Sequence, residues 1–419
     1  MVAIEQCAAD TAILVVRVDR KKRQVVVRVE RVMRVERRIQ FAYAIERRSG
    51  RLFQPAVIVD RRRNHRRERE PECDAVAALA EFQTAFPSVQ PFYATKCNPH
   101  SDVLRALHQA GSRFEVASID EVEILTGLGV RGPDLIFSNP LRPREQTRAA
   151  ARAGVYRFAV DSNDELLRVA EEAPGSCVYA RLATTARGSV VPSEGKYGVD
   201  VAGAVDLLIL ARELSLVPYG ITFHIGSQTL EPAALDAPLD DVNTAMNTLA
   251  QSGIRLQMVD IGGGFPAVYD EPVPPLAAFG RAAMAKVARL PYAVEVFAEP
   301  GRCLVAEAGT YRCRVIGVAR RPSGWWVHTD LGVFNGMMEV LESGGDLRYP
   351  IWDSRASVRR HRYHITGPTC DGQDTLAWNV PLSSDLREGD ELFIGSAGAY
   401  TAVYASRFNG FAPPRVVTA

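Results

Sequence analysis

The sequence predicts an α/β protein in which a (β/α)8 TIM barrel is joined to a C-terminal antiparallel β-domain that also takes in the N-terminal strands. From about residue 54 to 305, short apolar runs alternate with amphipathic stretches of helical period, a pattern typical of repeated βα units. From 306 to 419 the helical stretches almost vanish, and residues 1–53 share this strand-rich character. A chain of 419 residues is long enough to form two such domains.

The barrel is predicted from apolar runs separated by helical stretches such as 102–110, 164–172 and 202–214. Repeated βα units favour a parallel sheet covered by helices, and a closed eight-stranded barrel suits this length. The candidate strands are Ala56–Val59, Phe92–Ala94, Arg113–Val116, Leu135–Phe137, Arg157–Val160, Val178–Arg181, Ile221–His224, Met258–Ile261 and Ala293–Phe297.

The β-domain is predicted from β-branched and aromatic runs that are separated by Gly, Pro and Asp. Similar runs at 12–18 and 25–29 suggest that the two chain ends build one domain. The C-terminal strand candidates are Tyr311–Val315, Trp325–His328, Tyr363–Ile365 and Glu391–Ile394.

The charge of the chain gives no indication of a polyanionic partner. The net charge is +1, so we expect neither nucleic acid nor membrane as a partner. Residues 17–69 are nevertheless crowded with Arg and Lys. We interpret this segment as solvated surface rather than a polyanion-binding patch, because no aromatic residues alternate with the arginines.

Cysteine usage and the start of the chain predict a cytoplasmic protein. There are seven cysteines, and no pair has CxxC spacing. We therefore expect neither a disulfide framework nor a metal site. The first residues lack the basic n-region of a signal peptide, and no stretch approaches the length of a membrane span.

The residues with the most chemical potential follow the candidate barrel strands, at the end where such barrels keep their active sites. Lys96 comes directly after the strand that includes Phe92–Ala94. A lysine at the end of a buried strand needs a partner or a reaction, and desolvation is expected to lower the pKa of its amine. Taken alone, this position is also compatible with a structural lysine.

Three further loops follow strands in the same way. Gly262-Gly263-Gly264 lets backbone amides approach an anion, although an ordinary tight turn has the same composition. Glu299-Pro300-Gly301-Arg302 places an acid and a guanidinium on one loop, where a local ion pair is the alternative. His224 and Ser227 end another strand, where a core histidine is the alternative.

Taken together and in this order, these residues resemble the alanine-racemase-like (fold type III) pyridoxal-phosphate enzymes. The motifs Gly367-Pro368-Thr369-Cys370-Asp371, Gly398-Ala399-Tyr400-Thr401 and Phe408-Asn409-Gly410-Phe411 resemble the ornithine/lysine decarboxylase subgroup. The resemblance covers about residues 54–412, and these motifs in series are highly specific.

The resemblance implies pyridoxal 5'-phosphate as cofactor, held by Lys96 as a Schiff base. Its acid at the pyridine nitrogen is implied to be Glu299, and Cys370 is implied to return a proton to Cα after carbon dioxide leaves. The cofactor-binding set implied by the resemblance is Lys96, Glu115, Arg181, His224, Ser227, Gly263, Gly264, Glu299, Gly301, Arg302 and Tyr400.

The resemblance also implies a substrate site and a homodimer with shared active sites. Asp371 is expected to bind the distal amine of the substrate and Phe408 to line the pocket, with Cys370 and Asp371 coming from the partner subunit. Two positions depart from many relatives, which have Asp where this chain has Glu115 and Glu342. We align Glu342 with the acid for the distal amine, where an extra methylene would change the depth of the pocket.

The predicted function is decarboxylation of a basic amino acid, L-ornithine or L-lysine, to the diamine and carbon dioxide, as in polyamine biosynthesis. The alternatives within the class are arginine, diaminopimelate, diaminobutyrate or a carrier-tethered amino acid of a biosynthetic cluster. Racemisation would need a tyrosine base where this chain has Cys370. A non-catalytic regulatory homologue is the alternative outside enzymes.

Overall fold

The computed structural model describes strand residues 12–19, 24–31 and 56–59, and residues 74–418 without 187, 192–194 and 356. The chain divides into two units, residues 1–53 and 54–419, which are described separately. In the first unit, Ala12–Asp19 (β1) and Gln24–Arg31 (β2) form an antiparallel pair, with Ala12 opposite Arg31. Most of the arginine-rich segment lies outside the described residues.

The first strand of the second unit, Ala56–Val59 (β3), corrects one expectation. It was assigned to the barrel, but it pairs with two strands of the β-domain, at Gly309–Arg321 and Arg415–Thr418. Strand β3 therefore belongs to the sheet of the β-domain. The expectation that the strands of residues 1–53 also join this domain stays a prediction. A four-residue apolar run fits any buried strand, and only its long-range partners decide which sheet it joins.

The barrel is closed by eight parallel strands, and the other eight strand candidates of the sequence are confirmed in it. Two short strands outside it, β9 and β11, form an antiparallel pair. The strands are β4 Val89–Ala94, β5 Arg113–Val116, β6 Leu135–Phe137, β7 Arg157–Val160, β8 Cys177–Arg181, β9 Ser189–Val191, β10 Val217–Thr222, β11 Ser227–Thr229, β12 Met258–Asp260 and β13 Glu295–Ala298.

Helices cover the outside of the barrel, and the expected helical stretches at 102–110, 164–172 and 202–214 are confirmed within one residue. The α-helices of the described residues are α1 Asp74–Ala85, α2 Ser101–Gln109, α3 Ile119–Gly127, α4 Arg144–Arg152, α5 Asn163–Glu172, α6 Val201–Glu213, α7 Asp236–Gln251, α8 Leu276–Val287, α9 Arg302–Val305 and α10 Glu339–Glu342.

Capping side chains fix where several of these helices begin. The side chain of Ser118 accepts a hydrogen bond from the backbone N–H of Glu121, and Ser162 accepts one from Glu165 in the same way. Asp200 does the same for α6. Each cap satisfies a backbone donor that the first helical turn leaves free, so the helix begins directly after the strand-end loop.

The inside of the barrel holds a layer of buried side chains, all of them large except Ala159. They form a cluster separate from the main core: Phe92, Ile136, Ala159, Tyr179, Tyr219, Met258 and Phe297. This layer packs the barrel interior below the carboxyl ends of the strands. A site at those ends is therefore closed on its inner side by packed side chains and does not open into a channel.

The β-domain contains the predicted strands and three that the sequence did not reveal, β16, β18 and β20. Its strands after β3 are β14 Gly309–Arg321, β15 Gly324–Thr329, β16 Ile351–Asp353, β17 Arg360–Thr366, β18 Thr375–Ser383, β19 Glu391–Ile394 and β20 Arg415–Thr418. The order is β16-β19-β14-β15-β17-β18, with β3 beside β14. The sheet is mixed rather than purely antiparallel, because β15 runs parallel to β17, and β20 to β3. No helix in the described part of the chain is long and apolar enough to cross a membrane.

Candidate active site

Lys96 and Glu115 form an ion pair at the carboxyl ends of neighbouring strands. Lys96 lies in a 3₁₀ turn directly after β4, and its Nζ donates to Oε2 of Glu115 at 2.7 Å. Burial lowers the pKa of Lys96, but the carboxyl groups of Glu115 and Glu299 outweigh it and raise the pKa above its ordinary value. This direction is opposite to the one expected from desolvation alone, because the sequence did not show how close the carboxyl groups lie.

Glu115 has an unsatisfied oxygen at this site. Its side chain is 1% exposed, and Oε1 has no hydrogen-bond partner among the described atoms. Burial raises the pKa of this carboxyl group, and the nearby Lys96 opposes the rise. A buried acceptor without a partner is costly, so this oxygen is available to a bound group that carries a donor.

Glu299 is the central acid of the site. It follows β13 and is buried, and its Oε1 accepts a short hydrogen bond from the hydroxyl of Ser138. Ser138 Oγ also lies 2.8 Å from Oη of Tyr179. Burial raises the pKa of Glu299 to about 8, and the neighbouring carboxyl of Asp260 adds to the rise. A positively charged group placed against Glu299 would favour its ionised form.

His224 is held as a neutral imidazole. Its Nδ1 accepts a hydrogen bond from the backbone N–H of Gly226 at 3.0 Å. Burial lowers the pKa of His224 to about 3, and the positive charges of Arg181 and Lys96 add to this effect. The ring is therefore uncharged at any working pH and can offer its flat face to another ring.

The glycine run brings backbone close to backbone. Gly264 has a φ of +107°, and a Cβ atom there would lie 2.0 Å from the carbonyl oxygen of Gly226. A Cβ on Gly263 would lie 2.5 Å from the carbonyl oxygen of Glu299. Only glycine fits these positions, so the run is more than an ordinary tight turn.

All five N–H donors of Arg302 are engaged. Nε and Nη2 donate to Oγ of Ser227 at 3.2 and 2.9 Å, and Nη1 donates to Oη of Tyr269 at 2.6 Å. Nη1 also donates to Oε2 of Glu339 at 2.9 Å, and Nη2 to its Oε1. The Tyr400 ring centroid lies 5.0 Å from the guanidinium carbon. An anion bound to Arg302 would have to take the place of the Ser227 hydroxyl or of Glu339.

These groups share an open cavity at the carboxyl ends of the strands. The predicted site residues that line it are Lys96, His224, Ser227, Gly264, Glu299, Gly301, Arg302, Glu342 and Tyr400. The amine, the neutral imidazole, the carboxyl and the guanidinium therefore face one space, and this donor set fits the aldehyde, ring and phosphate of pyridoxal phosphate. The described residues contain no cluster of three or more possible metal ligands.

Six predicted site residues are not among those that line the cavity. Two of them, Glu115 and Gly263, contact lining residues as described above, and the other four are Arg181, Cys370, Asp371 and Phe408. The guanidinium carbon of Arg181 lies 5.2 Å from the ring centroid of Tyr197. Cys370 and Asp371 are exposed, as is Phe408, whose ring packs against Phe334 at 4.7 Å. The role implied for each predicted site residue stays a prediction.

Several residues of the site were missed from sequence. They are Ser138, Tyr179, Asp260, Tyr269, Glu339 and Tyr404. Two of them carried a signal: Asp260 comes just before the glycine run, and Glu339 precedes Glu342 by three residues, the spacing of one helix face. Ser138 and Tyr179 carried none, since a serine directly after a strand and a tyrosine within one are both common.

Comparisons with known proteins agree with this geometry. The model of one family, described as "Pyridoxal-dependent decarboxylase, pyridoxal binding domain", matches residues 74–306. The lysine/ornithine decarboxylase of Selenomonas ruminantium is 34% identical over 326 residues, which cover 78% of this chain and 82% of the relative. Antizyme inhibitor 2 of Xenopus laevis is 30% identical over 81% of this chain and 77% of its own length.

A solved structure is similar over nearly the whole of both chains. The lysine/ornithine decarboxylase of Vibrio vulnificus, crystallised with cadaverine, superposes with a TM-score of 0.78 and 29% identity. The alignment covers 87% of this chain and 94% of that protein. The similarity therefore includes both the barrel and the β-domain.

Proposed function

This chain belongs to the pyridoxal-dependent decarboxylases, and on that premise we propose that its substrate is a linear basic amino acid, L-ornithine first and L-lysine next. The enzyme is a lyase that uses pyridoxal phosphate to remove the carboxylate of an amino acid. The products of the proposed reaction are a diamine and carbon dioxide. The observation that carries the proposal is the single cavity shared by Lys96, Glu299, Arg302 and Glu342.

The cofactor would be held by groups from several strand-end loops. Lys96 would hold it through the amine, His224 would face its ring, and Glu299 would face the ring nitrogen. Its phosphate would be bound by Ser227, Gly264, Gly301, Arg302 and Tyr400. Bound pyridoxal phosphate supplies an electron sink for the electron pair that stays on Cα when the carboxylate leaves.

The acid for the distal amine of the substrate would be Glu342. This exposed residue lines the cavity from α10. The second acid of the same helix, Glu339, is already paired with Arg302. Glu342 is therefore the carboxyl group of α10 that remains for an ammonium group, and its position at the wall sets the chain length that fits.

A second copy of the chain would complete the site. Cys370 is exposed in the single chain and does not line the cavity, so it would have to reach the substrate from a partner subunit. Asp371 and Phe408 would arrive with it. Such a homodimer would be a protein of the cytoplasm, where the unpaired thiols of the described cysteines stay reduced.

The cofactor assignment is tested by absorption spectroscopy. Purified protein reconstituted with pyridoxal phosphate is expected to show a visible absorption band, and Lys96→Ala is expected to abolish it. Lys286→Ala is the matched control, because Lys286 pairs with Asp240 on the outside of the barrel. A band that survives in Lys96→Ala would refute the role of Lys96.

The substrate is tested by release of carbon dioxide from ornithine, lysine, arginine, diaminobutyrate and diaminopimelate. Ornithine and lysine are expected to give the highest kcat/KM, and Glu342→Gln is expected to raise KM for both. Activity on none of the free amino acids would overturn the substrate proposal in favour of a carrier-tethered substrate or a regulatory role.

Shared active sites are tested by mixing two inactive variants. Lys96→Ala and Cys370→Ala protein, each inactive alone, are expected to regain about a quarter of wild-type activity when subunits exchange in equal amounts, since half of the dimers are mixed and each mixed dimer has one intact site. No recovery after demonstrated subunit exchange would show that both residues act within one subunit.

A further inference from the structure

Ser138, Tyr179 and Glu299 form a hydrogen-bonded row that leads from the barrel interior to the cavity. Tyr179 stands in the middle of β8, within the layer of large side chains that fills the barrel. Ser138 follows β6 directly, and Glu299 follows β13. All three side chains are buried, so bulk water does not compete for their hydrogen bonds.

Which hydroxyl group donates to which in this row depends on whether Glu299 is ionised. A serine hydroxyl has one proton to donate. When Ser138 gives it to Oε1 of Glu299, the 2.8 Å contact between Ser138 and Tyr179 requires the phenol to donate to Ser138. Two hydroxyl groups are then aligned toward an ionised carboxylate. Such charge-assisted bonds are stronger than neutral ones.

Asp260 acts on Glu299 in the opposite sense. Its carboxyl oxygens accept bonds from Oγ1 of Thr222 and the N–H of Gly262, each at 2.9 Å. Burial and this second acid both raise the pKa of Glu299, whereas Lys96 and the hydroxyl of Ser138 lower it. Ser138 is therefore a neutral donor that favours the ionised form of Glu299, whereas burial and Asp260 disfavour it.

We propose that Ser138 and Tyr179 are positioning residues that aim the carboxyl of Glu299 into the cavity and favour its ionised form once the ring nitrogen of the cofactor faces it. This inference rests on the proposed function, in which Glu299 faces the ring nitrogen of the cofactor. An ionised Glu299 keeps that nitrogen protonated, and a protonated ring withdraws electrons from Cα more strongly. Tyr179 acts only through Ser138, because it bonds to the serine hydroxyl.

The test uses the loaded enzyme and a pH titration of its visible absorption. In Ser138→Ala the ring carries less positive charge, so the cofactor-bound nitrogen of Lys96 is expected to lose its proton at a pH about one unit higher. The kcat value is expected to fall about tenfold, as for the loss of one hydrogen bond to a charged group, with KM within about twofold. Ser138→Thr keeps the hydroxyl and is expected to restore both properties.

Two variants test the role of Tyr179. Tyr179→Phe is expected to shift the titration in the same direction by a smaller amount, and to add nothing in the Ser138→Ala background. The matched control is Tyr219→Phe, because Tyr219 belongs to the same interior layer but bonds to Oε2 of Glu295, outside the row. Additive shifts for Ser138→Ala and Tyr179→Phe would show that Tyr179 acts independently and would overturn its part in the proposal.

The outcomes separate this inference from the proposed function. A wild-type protein that gains no visible band with pyridoxal phosphate would overturn both. A wild-type protein with the band and activity, together with a Ser138→Ala variant that titrates like it, would overturn the inference alone. Thermal unfolding of each variant, followed by circular dichroism, identifies any loss of fold. If Ser138→Ala does not fold, Tyr179→Phe tests the inference instead, because it removes only a hydroxyl group and keeps the shape of the ring.

Discussion

Glu339 holds Arg302 by a double hydrogen bond inside the protein. The guanidinium is 3% exposed and the glutamate 2% exposed, and the two residues join the end of the barrel to α10. Tyr269 and Ser227 complete the shell of the guanidinium. Arg302, which is expected to bind a phosphate, is thus already paired with a carboxylate of α10, the helix that also carries Glu342.

Removing Glu339 is expected to destabilise the cofactor-free protein strongly. Glu339→Ala leaves the buried guanidinium of Arg302 without its counter-charge, and breaking such a pair lowers the free energy of unfolding by about 3–5 kcal/mol. Urea unfolding followed by circular dichroism measures the change. The control is Asp240→Ala, which breaks the exposed pair with Lys286 and is expected to cost about 1 kcal/mol or less. Equal losses for the two variants would contradict the prediction.

The barrel was predictable because its signal is local. A strand such as Leu135–Phe137 is an apolar run between helical stretches, and the closed order follows from the repeated connection. The sheet that β3 joins was not predictable, because Ala56–Val59 suits any sheet. Its partner strands lie some 250 and 360 residues further along the chain. The missed β16 has three residues, too few to show a period.

The site was predictable where one residue type at a strand end is chemically unusual. Lys96 and the glycine run at 262–264 are of this kind. The direction of the Lys96 pKa was not predictable, since it depends on a 2.7 Å distance to Glu115. Likewise, the contact between Ser138 and Tyr179 joins residues 41 positions apart, and neither residue type is unusual at its position.

The pKa of Glu299 predicts a pH dependence of stability. With a pKa of about 8 in the cofactor-free protein, Glu299 keeps its proton between about pH 5 and 8, whereas the unfolded chain has released it. The folded state then binds more protons, so its stability falls as the pH rises through this window. Glu299→Gln is expected to remove a fall of a few kcal/mol.

Urea unfolding of the cofactor-free protein at several pH values measures this dependence. The Gln variant is expected to match the wild type near pH 5 and to be the more stable protein near pH 8. Glu271→Gln, at an exposed position, serves as control and is expected to follow the wild-type profile. Parallel profiles for wild type and Glu299→Gln would show that Glu299 does not bind the proton.

Glu115 is expected to protect the amine of Lys96 from electrophiles in the cofactor-free protein. In Glu115→Gln the main charge that raises the pKa of Lys96 is gone, and burial then lowers the pKa. More of the amine is unprotonated, so its acylation at constant pH is expected to be about tenfold faster for each unit of pKa lost. Peptide mass spectrometry measures labelling of Lys96 relative to Lys286. Glu123→Gln, an exposed change on α3, should leave the ratio unaltered.

Asp374 is expected to position the loop that carries Cys370. This aspartate is fully buried, and its Oδ1 accepts a bond from the N–H of Val333 at 2.7 Å. Its Oδ2 accepts bonds from the N–H and the hydroxyl of Thr369, at 3.0 and 2.7 Å. One carboxylate therefore ties the segment before α10 to the residue directly preceding Cys370, and all three bonds need an acceptor.

Asp374→Asn replaces one acceptor oxygen with an NH₂ group, which cannot accept from a backbone N–H. The variant therefore loses its hydrogen bonds either to Val333 or to Thr369. The loop with Cys370 is then less well positioned, and kcat is expected to fall about tenfold, the effect of one lost hydrogen bond to a charged group. The visible absorption band is expected to stay, because no bond of Asp374 reaches the cavity residues. Asp371→Asn is the comparison: as the proposed substrate ligand it should raise KM instead. A raised KM with unchanged kcat in Asp374→Asn would contradict the prediction, because it would mean that the hydrogen bonds of Asp374 contribute to substrate binding and not to the position of Cys370.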